Sequence, residues 1–114
     1  MLKKSCQMDI EHRDNMRGGQ GTVELQHLFK NELPVNCRLL ARITLPEGAS
    51  IGYHTHDNET EIYYFLKGKG TVDDNGEKKS VSAGDALHTG GGKGHAVFNT
   101  GSGDLEFMAV IIKD

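Results

Sequence analysis

The chain has no apolar run approaching the roughly 20 residues of a membrane-spanning helix, no block of like charge and no cysteine pair at metal-binding spacing. Each absence removes a class of function. Thirteen basic residues stand against 16 acidic ones, a formal charge of −3, and neither sign gathers into a stripe. A nucleic-acid face or a basic membrane patch is therefore not expected. Cys6 and Cys37 lie far apart in the chain and read as reduced, incidental thiols rather than a disulfide frame, which fits a cytoplasmic setting. The opening stretch MLKKSCQMDIEHRD is charged with no apolar segment after it, so it does not read as an export signal. Internal repeats, low-complexity tracts and linkers are also missing, as is any long segment of 3.6-residue period. At 114 residues the chain suits one modest core and is too short for two.

Glycine is what the chain has in excess, 15 residues against only two prolines and with no collagen-like period. Between the glycines, apolar residues recur with period two. TVELQHLF places Val23, Leu25, His27 and Phe29 on one face, and LEFMAVII does the same for Leu105, Phe107, Ala109 and Ile111. Asn75-Gly76, between strand-like flanks, is the best hairpin signal. Further strands are expected over residues 38–45, 51–55, 61–66, 69–72, 77–81, 86–89 and 95–99. Short strands at this spacing predict an all-β antiparallel sandwich or barrel. Residues 1–22, ending in the glycine-rich NMRGGQG, are expected to form an N-terminal arm, and residues 23–114 a single barrel domain.

Two imidazoles sit in the strand-like segment GYHTHDNETEIYYFLKGKG. His54 and His56 are two residues apart and share a face of any strand. Glu61 follows the polar turn DNET, where a hairpin can return its carboxylate beside the two rings. Such a set suits a borderline divalent metal, although a solvated His-Thr-His with a surface acid has the same local sequence. A second constellation, GDALHTGGGKGHAVFN, delivers His95 at the head of another apolar strand.

These residues carry a resemblance to the cupin superfamily of double-stranded β-helix, or jelly-roll, barrels. Gly48, His54, His56, Glu61 and Gly68 match the family's first motif at every spacing. Gly84, Gly92, His95 and Asn99 match the second, in which Gly90 stands at the usual proline position. That departure is expected to loosen the turn before His95, because glycine loses more entropy on ordering. Fifteen residues separate Gly68 from Gly84, which implies a minimal barrel with no inserted lid. By resemblance His54, His56, Glu61 and His95 are the ligands of a divalent transition metal: Mn, Fe, Ni, Co or Zn.

The resemblance implies two functions. One is a metal-dependent enzyme acting on a small oxygen-rich substrate, a carboxylate, oxo acid or diketone, by dioxygenation, decarboxylation or isomerisation. The other is a metal-dependent binding or sensing module without turnover. Catalytic candidates beyond the ligands are weak. His88 either lines the pocket as an acid or base or is a partly buried histidine with a backbone partner, the second reading being favoured. Arg42 either clamps a carboxylate or snorkels at an edge. Tyr63 and Phe65 share the parity of Glu61 and shape either cavity or core. Glu59 reads as an exposed turn acid, and His12 and His27 as structural or exposed. The strands RLLARITL and LEFMAVII are apolar on both faces, which predicts a symmetric homodimer, with residues 17–21 crossing to the partner.

Overall fold

Period-two segments become strands wherever the glycine turns let neighbours pair. The computed structural model describes residues 1–114, in ten strands: β1 (Asp9–Asp14), β2 (Thr22–His27), β3 (Cys37–Leu45), β4 (Ser50–Thr55), β5 (Glu59–Lys67), β6 (Lys69–Asp74), β7 (Glu77–Ser82), β8 (Ala86–Gly90), β9 (Gly94–Phe98) and β10 (Leu105–Lys113). Six form one sheet in the order β1-β2-β3-β10-β5-β8, and four form a second in the order β4-β9-β6-β7. Every pairing is antiparallel. This is the jelly-roll architecture, with the core between the inner faces.

The inner residues of β2 (Val23, Leu25), β3 (Ala41, Ile43, Leu45) and β10 (Leu105, Phe107, Ala109) are almost fully buried, and β5 adds Tyr63 and Phe65. Each large side chain so buried contributes roughly 1.5–3 kcal/mol. Phe65 packs against Tyr63 and Phe107, in the core rather than beside the cavity. The Asn75-Gly76 hairpin forms as expected, with both residues at positive φ (51° and 100°) between β6 and β7. Asn99 secures the loop that follows it: its side-chain amide donates to the carbonyls of Leu45 (2.9 Å) and Gly103 (2.8 Å) and its oxygen accepts from Gly101 N–H.

Within the N-terminal region, residues 9–14 form a strand at the edge of the larger sheet, from Asp9 opposite His27 to Asp14 opposite Thr22. Residues 17–21 lie against the barrel, where Ser50 N–H donates to Gln20 carbonyl and Gln20 N–H to Ser50 Oγ, each at 2.9 Å. The turn before His95 forms with Gly90 in place of proline. A Cβ at Gly90 would run into the Thr60 side chain, so threonine occupies the space a proline ring would need. The turn is also tied to the backbone of His56, whose carbonyl accepts from Gly92 N–H (2.9 Å) and whose N–H donates to Lys93 carbonyl (3.0 Å).

Candidate metal centre

The site begins with a β-bulge. In the β4–β9 ladder Ile51 pairs with Val97 and His54 with His95, so β4 carries one extra residue between these pairs. The bulge reverses the side-chain alternation. Ile51 is buried in the core while Tyr53 turns outward at 49% exposure, and His54 faces inward beside His56. Glu61 comes from β5 and His95 from β9.

Four side chains converge. The Nε2 atoms of His56 and His95 each lie 3.0 Å from Glu61 Oε1, and His95 Nε2 lies 3.2 Å from both His54 Nε2 and His56 Nε2. All four candidate ligand atoms fall within 4.8 Å of one another.

The opposite ring nitrogens are all engaged. His54 Nδ1 donates to the bulge carbonyl of Gly52 (2.7 Å), His56 Nδ1 to Glu59 Oε2 (2.6 Å), and His95 Nδ1 lies 2.8 Å from the Thr89 hydroxyl. A carbonyl and a carboxylate can only accept, so His54 and His56 spend their Nδ1 protons there and direct Nε2 lone pairs at the cluster. Burial lowers the pKa of His54 to about 4, so its ring is neutral near pH 7. Burial alone would raise Glu61, but its contacts with the His56 and His95 rings, 3.0 Å away, outweigh it and bring the carboxyl down to about 2. Glu61, then Glu59, raise the pKa of His56. Three imidazoles and one carboxylate with converging lone pairs match a divalent transition ion in donor chemistry.

His54, His56 and Glu61 of the cluster line a cavity of about 310 Å³. Against this geometry, a family model for the cupin domain matches residues 41–111. An oxalate-binding protein of Thermotoga maritima is 48% identical over 113 residues, 98% of this chain and 93% of that protein. The chain belongs to the cupin family. The crystal structure of a predicted oxalate decarboxylase, also from Thermotoga maritima, superposes with a TM-score of 0.94 at 46% identity, covering 100% of both chains. An RmlC-like cupin from Shewanella frigidimarina has a TM-score of 0.77 at 18% identity over 99% of this chain and 90% of its own, a likeness of fold alone.

Within this cupin the other candidates separate. Tyr63 is buried in the cavity wall, its ring stacked on His95 (centroids 4.8 Å apart) and its hydroxyl 3.3 Å from His95 Nε2. Burial raises its pKa well above the usual phenol value, so it stays a hydrogen-bond donor. His88 does not line the pocket and is not partly buried: it is exposed on β8, opposite Ile62, with no side-chain hydrogen bond. Arg42 is likewise outside the cavity, exposed on β3 and paired with Glu106. Strand parity puts both on the outer face of the sheet. Glu59 is not an exposed turn acid. It is the first residue of β5, its side chain only 13% exposed, held by Arg38 through two 2.7 Å hydrogen bonds.

Sequence reasoning also missed a second polar group in the cavity. His27 is buried, with Nε2 2.8 Å from Glu11 Oε1, and Glu11 in turn accepts from Arg13 Nε at 2.7 Å. His27 shares its face with Leu25, and that alternation was its only signal. Its row across the sheet continues through Ala41 and Ala109 to Tyr63, two small residues between the larger ones. His12, by contrast, is exposed beside Glu24. No helix is long and apolar enough to cross a membrane.

Proposed function

We propose that this cupin holds a divalent transition metal through His54, His56, Glu61 and His95 and binds a small oxygen-rich anion, oxalate or a 2-oxo acid, beside it. The observation that carries this reading is the convergence of three imidazoles, each braced at Nδ1, with a buried carboxylate. The closest donor pairs are 3.0–3.2 Å apart and all four ligand atoms lie within 4.8 Å of one another, so a single divalent ion would be held by His54, His56, Glu61 and His95 together. The metal, when bound, supplies Lewis acidity and open positions for ligand oxygens. Tyr63 donates a hydrogen bond from the cavity wall. Kinship with an oxalate-binding protein and with a predicted oxalate decarboxylase supports a two-oxygen chelator as the ligand.

The second reading, binding without turnover, is favoured by the outward placement of His88, the imidazole the sequence offered as an acid or base beyond the donor set. We place the protein in the cytoplasm as a homodimer. Calorimetric titration of the Mn-loaded and metal-free forms tests the site. Oxalate is expected to bind the loaded form at least about tenfold more tightly than acetate, about 1.4 kcal/mol. Equal affinities, or binding that persists without metal, would refute the open site. Assay of the loaded protein for O₂ uptake and CO₂ release then separates enzyme from binding module.

A further inference from the structure

The wall of the cavity away from the donor cluster is rich in cations, and their pairing is uneven. Arg13 is bound by Glu11 and Arg38 by Glu59, while Arg17 and Lys30 line the same space with no carboxylate within ion-pair distance. Arg17 has a further peculiarity. It sits in the left-handed region (φ 55°, ψ 29°) although glycine follows at position 18, a conformation that strains a non-glycine residue. The residue that would relieve this strain would also delete the side chain. Yet the Arg17 guanidinium makes no hydrogen bond or ion pair within the protein.

The backbone at Arg17 is fixed against the site. A Cβ on Gly52 would overlap the carbonyl oxygen of Arg17, and one on Gly19 would overlap that of Ser50, so the turn lies flush on β4. Gly52 is the residue whose carbonyl orients His54. Arg17, an exposed residue, lines the cavity shared by His54, His56 and Glu61 from a backbone held next to one of the donors.

We propose that Arg17 is a specificity-determining residue whose guanidinium receives the carboxylate oxygens of a small dianion that face away from the donor cluster. The site thereby takes dicarboxylates in preference to monoanionic chelators. This rests on the ligand site described above and adds the group that reads the ligand's second charge. Lys30 lies at the same opening as a mobile point charge, whereas a guanidinium offers a planar fork that matches carboxylate oxygens.

The test uses Mn-loaded protein and two ligands that chelate through two oxygens, oxalate with two negative charges and glycolate with one. Arg17→Gln keeps the backbone cost and removes the charge. It is expected to weaken oxalate about tenfold or more, to weaken glycolate by less than about threefold, and to leave Mn affinity unchanged. Arg17→Lys should recover part of the oxalate loss. If Arg17→Gln binds oxalate as the parent protein does, or loses both ligands equally, Arg17 does not read the second charge, and the metal site stands. If the parent protein itself fails to prefer oxalate over acetate, the ligand site is refuted and this assignment falls with it.

Discussion

Glu59 shows how one side chain outside the donor set governs it. Its carboxyl is held down at about 2, first by Arg38 and then by His56, so it is ionised at any pH where the site works. An ionised acceptor on His56 Nδ1 fixes the ring's orientation and makes its Nε2 a better donor. Such outer partners typically contribute 10–100-fold in metal affinity. Glu59→Gln is therefore expected to weaken metal binding by about that factor with little change in fold, and Arg38→Met to weaken it less, since the carboxylate remains but loses its anchor. Competition against a chromophoric chelator measures both. Unchanged affinity in Glu59→Gln would make the contact incidental. Strand parity offered a sign of this role, because Glu59 shares the inward face with Glu61, Tyr63 and Phe65. Arg38, 21 residues away on a strand that does not pair with β5, left no such sign.

Strands were legible where alternation is clean and obscure where the backbone breaks it. β2 and β10 follow their apolar period, and the His54–His56 pair reads correctly because both residues lie beyond the bulge. The bulge itself was not legible: Ile51 and His54 have opposite parity, yet both face inward. Strand β1 was obscure for another reason. It is an edge strand, almost wholly exposed, with no buried face to write a period into the sequence.

Besides its ladder, β1 is tied to the barrel by Glu11. Hydrogen bonds from Arg13, then His27, lower that carboxyl from 4.5 to about 2. A folded-state pKa below the unfolded one means stabilisation that is fully present above about 4.5 and fades as pH falls toward about 2. Because the Glu11 side chain is 36% exposed, screening limits the contribution to about 0.5 kcal/mol. Glu11→Gln should thus be less stable than the parent protein near pH 7, with the gap closing as pH falls through that window. Urea denaturation of the metal-free forms at a series of pH values reads it, and a gap independent of pH would assign the loss to packing.

At the scale of the whole molecule, the larger sheet has a second apolar face. Leu40, Val110 and Ile62 lie in one row across β3, β10 and β5, with Met108 and Tyr64 in the next. Ile62, Tyr64, Leu66 and Ile112 are each about 40–50% exposed. An apolar band flanked by Arg42, Glu106 and His88 is the composition of an interface with a polar rim. We propose that a second copy of the same face covers it under two-fold symmetry, with no strand edge opened. The expected mass in solution at micromolar concentration is twice the 12.5 kDa of the single chain. Ile62→Asp, on the outer face and away from both core and cavity, should give a folded monomer that still loads metal, because all four donors come from one chain. Light scattering combined with metal analysis decides the point. A parent protein that runs as a monomer would leave this face without the partner assigned to it, and a dimer unaffected by Ile62→Asp would move the interface to another surface.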